Sequence, residues 1–328
     1  MRRRTALVLP VPVVLAARAS AQGGGMRRGF NVIQDAAAPF GSPAARESFR
    51  RLARTGADAV AIVSFLWQAT PDASEVVRGG DMTDAQLAAG IRQARDAGLA
   101  PMVKLHVWIP GTWAGEVAPR DWGAWFAGYR AALRGIARIA RAEGAASLCL
   151  GTELRRTTQR PEWAGLIATA REAFGGPLLY TAHNADEAER VPFWGALEAI
   201  GASLYPALGA DDAPQDWRAA MEAQAARLDR LAAQHRKPVW ITEIGLRSAT
   251  GAAAKPWESA EERAATPDDA LQARVLDTWL RVLERPSVAG VLVWRWISDP
   301  AAGGPRDTDF TVQGKLAEGT LFARPRGL

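Results

Sequence analysis

The chain has 328 residues, 48% of them apolar, which is enough for one large core and more than a small module needs. Its 40 Lys and Arg against 35 Asp and Glu look basic, but Arg2, Arg3, Arg4 and Arg18 lie in the first 21 residues, and without them 36 basic residues face 35 acidic ones. A near-neutral body with no Arg/Lys stripe interleaved with aromatics speaks against a nucleic-acid partner.

The chain opens with Met-Arg-Arg-Arg, an apolar run over residues 6–17, and Ala19-Ser20-Ala21. These are the charged, hydrophobic and small-residue parts of a secretory signal peptide, with cleavage expected after Ala21. The run is shorter than the roughly 20 residues that span a bilayer and contains Pro10 and Pro12, so stable membrane insertion is not expected. Residues 22–28 read as a Gly-rich linker and residues 29–328 as one domain, secreted or periplasmic and monomeric. The single cysteine, Cys149, lies in an apolar run and reads as core packing.

Beyond the linker, short apolar runs alternate with amphipathic, Ala- and Arg-rich segments, the pattern of parallel strands and crossover helices. Strands are predicted over 29–33, 59–67, 101–108, 147–153, 177–183, 199–205, 239–243 and 288–296. Helices are predicted over 43–54 behind Ser42, 85–97 behind Thr83-Asp84, 121–142, 161–174, 216–234 and 267–283. Between strands five and six only residues 186–197 are available for a helix. Eight such units fit a single-domain (β/α)8 TIM barrel. The rival, an open doubly wound sheet, lacks its Gly-rich phosphate loop, because Gly29-Phe30-Asn31 has no second and third glycine.

Two strands end alike. Residues 147–154 read Ser-Leu-Cys-Leu-Gly-Thr-Glu-Leu, and residues 238–246 read Pro-Val-Trp-Ile-Thr-Glu-Ile-Gly-Leu. Glu153 thus ends strand four and Glu243 strand seven, on the C-terminal face where barrel active sites lie. A lone buried carboxylate is costly, so each must be paired or functional. Two on one face suit glycosidic bond cleavage, with retention if they stand about 5–5.5 Å apart and inversion at about 6.5–9.5 Å. Salt bridges at the rim are the alternative reading of each glutamate taken singly.

Around them lie residues suited to sugar binding. Lys104 and His106 alternate with Trp108 on strand three, followed by Trp113 in the next loop; Trp67 and Gln68 end strand two; His183 and Asn184 end strand five; Tyr205 ends strand six; and Trp294 and Trp296 alternate on strand eight. Trp122, Trp125 and Trp279 fall in helical patterns and read as packing. The three histidines lack metal-ligand spacing, and no Gly-x-Ser-x-Gly elbow occurs.

These pieces carry a resemblance. Lys104-Leu105-His106-Val107 with Gly111-Thr112-Trp113, Gly151-Thr152-Glu153-Leu154, Leu204-Tyr205-Pro206, Thr242-Glu243-Ile244-Gly245 with Arg247-Ser248, and Trp294-Arg295-Trp296 resemble glycoside hydrolase family 113 over about residues 28–315. The resemblance implies a retaining (β/α)8 glycosidase with Glu153 as acid/base and Glu243 as nucleophile. It also implies no metal or organic cofactor and a β-1,4-mannan or glucomannan substrate. In such a site Arg247 or Tyr205 would stabilise Glu243, and the negative charge of Glu243 would raise the Glu153 pKa. Thr152 stands where the wider group has Asn, and His183-Asn184-Ala185 where Asn-Trp is expected. Residues 248–266, rich in Ala and Gly with little to pack, are expected to border the cleft or move. Another β-glycan, or a non-catalytic glycan-binding barrel, are the alternatives.

Overall fold

The computed structural model describes residues 25–323; the signal-peptide segment and the first linker residues lie outside them. Eight parallel strands form a closed barrel: β1 (Arg27–Ile33), β2 (Ala59–Trp67), β3 (Ala100–Trp108), β4 (Ser147–Thr152), β5 (Leu178–His183), β6 (Ile200–Leu204), β7 (Val239–Gly245) and β8 (Val288–Ile297). Each pairs with the next, and β8 pairs with β1 to close the ring. The expected (β/α)8 barrel is therefore the observed fold. β1 starts at Arg27, inside the expected linker, and a two-residue antiparallel strand, Val77–Arg78, folds back on the end of β2.

The helices form where caps and apolar stripes coincide. Ser42 caps α1 (Pro43–Arg54), Thr83 and Gln86 make a capping box for α2 (Asp84–Asp96), and Asp121 caps α3 (Trp122–Ala142). Next come α4 (Trp163–Ala173), α5 (Asn184–Ala188), α6 (Pro214–His235), α7 (Asp269–Val282) and α8 (Leu316–Thr320). The 186–197 segment becomes the one-turn α5 and a 3-10 turn at Trp194–Ala196, because Pro192 and Gly195 leave no room for a longer helix.

The core has two layers. Between barrel and helices, Trp125, Trp163, Trp194, Trp217, Trp279 and Trp296 are buried, and Trp122 packs partly buried at the edge. Inside the barrel floor, Ala59, Ala61, Met102, Cys149, Leu179, Ala199 and Leu292 fill the axis. Small side chains suit this floor because eight strands converge there. At Gly201 a methyl group would stand 2.2 Å from the Tyr180 carbonyl oxygen.

Above the floor the pairing slips. Between Cys149 and Thr152 on β4, between Ile241 and Ile244 on β7, and between the β8 residues facing Phe30 and Val32, the longer strand holds two residues where its neighbour holds one. Bulges of this kind re-aim side chains next to active sites. On β8 the slip resets the alternation, so Trp294 and Trp296 do not share a face.

Candidate active site

Glu153 follows the last residue of β4 and takes a left-handed backbone, φ 56°. That conformation costs a non-glycine residue roughly 1–3 kcal/mol, and it is held by neighbours. The Glu153 N–H donates to Thr181 O at 2.8 Å, and the Leu154 N–H donates to the Tyr180 hydroxyl at 2.8 Å. Tyr180 in turn donates to Glu187, whose other oxygen accepts the His183 backbone N–H. Burial raises the Glu187 carboxyl to about 7.

Three donors meet the Glu153 carboxyl. Trp113 Nε1 donates to Oε2, the Ser203 hydroxyl donates to Oε1, and His183 Nδ1 lies 2.9 Å from Oε1. Asn184 lies beside the imidazole: its amide oxygen accepts the Tyr205 N–H, and its nitrogen stands 3.0 Å from His183 Nε2. Burial pushes Glu153 up, but the charge of His183 and the hydrogen bonds from His183, Ser203 and Trp113 outweigh it and bring the carboxyl to about 2. His183 is pushed down by burial and raised overall by Glu153. The expected upward shift of Glu153 by Glu243 is thus overridden by closer donors. Arg155 lies over the Trp113 ring, 4.6 Å from its centroid, and closes this side.

Glu243 sits on β7 beside the bulge, so both it and Thr242 face the axis, with Thr242 Oγ1 2.6 Å from Thr181 Oγ1. Lys104 Nζ donates to Glu243 Oε1, and the Tyr205 hydroxyl donates to Oε2 at 3.2 Å. Burial raises the Glu243 carboxyl, the Lys104 cation pulls it back, and the charge of Glu153 adds to the rise. The two glutamates have one residue in common: the Ser203 backbone lies opposite Glu243 across the β6–β7 ladder, while its hydroxyl donates to Glu153.

Trp294 and His106 stack 5.9 Å apart beside this pair, and His106 meets Phe65, which meets Trp108 and Trp67 in turn. Burial and Lys104 hold His106 down at about 4, so the imidazole is neutral, and its Nδ1 has no partner.

Of the residues singled out from sequence, Lys104, His106, Trp113, His183, Asn184, Tyr205 and Trp294 surround the two glutamates. Trp67 lies one ring outward, with its indole N–H on Asp81. Three do not join them. Gln68 is buried and spends its amide on Trp125, Thr70 and Pro71. Arg247 is buried too, but its guanidinium bonds Thr308 and faces Glu258, tying two loops together, and the cation at Glu243 is Lys104 instead. Trp296 faces the helix layer, packed on Phe30 with its N–H on Ser48. Within residues 248–266 only the first part is packed, since Ala252 and Ala253 are buried and Asp211 accepts from the Gly251 and Ala253 N–H groups, whereas Trp257 is exposed and the residues after it are exposed or half-buried. The small side chains of the packed part let backbone approach backbone. Ser203, Asn31 and Glu187 join the site unannounced by any motif; Ser203 alone had a local signal, lying two residues before Tyr205 on the same strand face.

The sequence profile of Glycoside Hydrolase Family 113 matches residues 30–315. The chain belongs to that family. It is a glycoside hydrolase, and its substrate is a polysaccharide or oligosaccharide. Among solved structures, a complex of a GH113 β-1,4-mannanase is similar at 25% identity, covering 92% of this chain and 98% of that one, with a TM-score of 0.81. The GH113 β-mannanase of Alicyclobacillus acidocaldarius in complex with ManMIm is similar at 25% identity, covering 90% and 96%, with a TM-score of 0.78. A β-glucuronidase from Ruminococcus gnavus shares the fold at 14% identity and a TM-score of 0.57, over 90% of this chain and 49% of its own. No curated protein matches the sequence significantly. Among the described residues of this hydrolase no cluster of three or more His, Cys, Asp or Glu could hold a metal ion, and no helix is long and apolar enough to cross a membrane.

Proposed function

We propose that this hydrolase cleaves β-1,4-mannan or glucomannan with retention of configuration, as a monomer exported to the periplasm or beyond. The observation that carries the mechanism is that two glutamates next to Ser203 have opposite surroundings, one carboxyl against a buried ammonium and one against exchangeable donors. Two carboxyl groups at one spot of the barrel mouth can act on a single glycosidic bond.

Glu243 is the nucleophile. Lys104 holds it ionised and occupies Oε1, leaving Oε2, with its longer Tyr205 contact, to attack the anomeric carbon. Glu153 gives the leaving oxygen a proton. In the free enzyme that proton resides with the Glu153–His183 pair as a unit, and a sugar oxygen arriving at Glu153 draws it onto the carboxyl. The Glu153 carboxylate then takes a proton from the water that opens the glycosyl-enzyme. Trp294 and His106 floor the sugar beside the bond, and the rings of Phe65, Trp108 and Trp67 continue that surface outward. The mannan substrate is supported by the β-mannanases among the similar structures.

One departure favours a second substrate reading. Thr152, where the wider group has Asn, donates its hydroxyl to Leu105 O and is fully buried, so it offers nothing to a sugar 2-hydroxyl. A β-glucan or exopolysaccharide is then the alternative. Purified residues 22–328 should be assayed on β-mannan, glucomannan, β-glucans and exopolysaccharides, with Glu243→Ala alongside. Oligomannosides from the wild type alone support the first reading; products from another glycan only would replace it with the second.

A further inference from the structure

Lys104 is wholly buried inside the barrel. Its ammonium meets three acceptors: Glu243 Oε1, Asn31 Oδ1 at 3.0 Å and Thr242 O at 3.4 Å. Asn31 is itself fixed, donating to Thr242 O at 2.9 Å, so its oxygen has to face the lysine. The Trp294 ring lies 5.8 Å from Nζ and covers it. With no exposed surface, this cation meets the glutamate and the asparagine rather than solvent. Stability is not the reason for it. Burying an ammonium costs several kcal/mol, and an apolar side chain of similar size usually does as well or better. Met102, two residues earlier on the same face, shows that the barrel accepts such a side chain.

We propose that Lys104 is a positioning residue for the nucleophile, the fixed counter-ion of Glu243 through both halves of the reaction. It acts most strongly when the glycosyl-enzyme breaks down. The inference rests on the reading of Glu243 as nucleophile. In the first step an electron pair on Oε2 forms the bond to the anomeric carbon as the bond from that carbon to the leaving oxygen breaks, and the proton of Glu153 passes to that oxygen. The product is an ester whose carbonyl oxygen, Oε1, still faces the ammonium. In the second step water oxygen bonds to the anomeric carbon and the water proton goes to Glu153. The electron pair of the carbon–Oε2 bond returns to Glu243, restoring the carboxylate beside Lys104. The cation therefore stabilises the leaving group of the second step. The charged and titratable groups around Glu243 are Lys104 from β3, Tyr205 beyond β6, Glu153 beyond β4 and the Cys149 thiol below, with Arg295 farther out and paired to Asp309. Of these, Lys104 is the cation in contact.

The test compares wild type, Lys104→Met and Lys104→Gln. It reads kcat/KM against pH, the pre-steady-state time course on a dinitrophenyl β-mannoside, and labelling by a 2-deoxy-2-fluoro-mannosyl fluoride followed by mass mapping. Loss of the cation should move the acid limb of kcat/KM up by roughly 1–3 pH units, and a burst should appear or grow as glycosyl-enzyme accumulates. A folded variant with an unmoved limb and an equal loss at every pH overturns the proposal. If neither variant folds, wild-type labelling decides. A nucleophile titrating below about pH 6 supports the proposal, and one titrating near pH 8–9, as unaided buried glutamates do, overturns it. Label on a residue other than Glu243 is a different failure, that of the underlying nucleophile assignment.

Discussion

Glu243 and Glu153 stand at the same end of one barrel in unlike surroundings. Glu243 is met by a lysine on β3, sealed from water and anchored to the β1 asparagine. Glu153 is met by an indole, a hydroxyl and an imidazole, groups that can let go or change charge. A nucleophile must remain ionised until it attacks, whereas an acid/base must gain and lose a proton in every cycle. The difference teaches that placing two carboxylates is not enough; each task is set by what the neighbouring strands aim at it. Breaking the two sides should therefore give different losses. Glu243→Ala should lower kcat by about four orders of magnitude or more. Azide should restore a glycosyl azide of inverted configuration, and rescue confined to a variant of another residue would move the nucleophile there.

The Glu153 side should break more gently and in a leaving-group-dependent way. Glu153→Ala should cost roughly 10²–10⁴-fold on polysaccharide, and far less on an aryl glycoside whose phenolate leaves unaided. An equal loss on both substrates would deny Glu153 the role of acid. His183 sharpens the same side. Its pKa is raised above the ordinary 6.5, so the proton it shares with Glu153 is present below 6.5 and lost as pH rises through the higher value. In His183→Asn that store is gone and Glu153 keeps only Ser203 and Trp113. The basic limb of kcat/KM should then fall by ~1 pH unit or more, with the acid limb unchanged. A basic limb that stays in place would show that His183 does not hold the proton.

How much of this was legible without coordinates depends on the range of the signal. The eight strands and the placement of Glu153 and Glu243 at one barrel end follow from local runs of β-favouring residues that stop at Gly-Thr-Glu and Thr-Glu-Ile-Gly. What local periodicity does not carry is the offset between neighbouring strands. Trp294 and Trp296 are two apart and read as one face, but an extra residue opposite Asn31 sends Trp296 to the helix layer. Lys104 and Arg247 are both cations near the expected site, and nothing within either segment says that the β3 lysine reaches Glu243 while the arginine beyond β7 turns to Thr308. Gln68 follows the same logic, since its partner Trp125 is on a helix 57 residues away. Pairings across the barrel are set by closure of the whole ring.

The smallest expected effect on turnover tests that offset directly. Trp296→Phe removes the indole bond to Ser48 and leaves a small gap against Phe30 and the Arg51 guanidinium. It should cost ~1–3 kcal/mol in denaturant or thermal unfolding and change kcat/KM by less than about twofold, because Trp296 has no exposed surface. Trp294→Phe should do the reverse. Trp294 is partly exposed and stacked on His106 above Lys104, so losing part of its face should lower kcat/KM by about tenfold while stability changes by under ~1 kcal/mol. Equal kinetic losses in the two variants would mean that both indoles face the sugar, as simple alternation along β8 predicts. Loss of turnover in Trp294→Phe alone would place the bulge, and with it the aim of β8, among the features that build the sugar-binding floor.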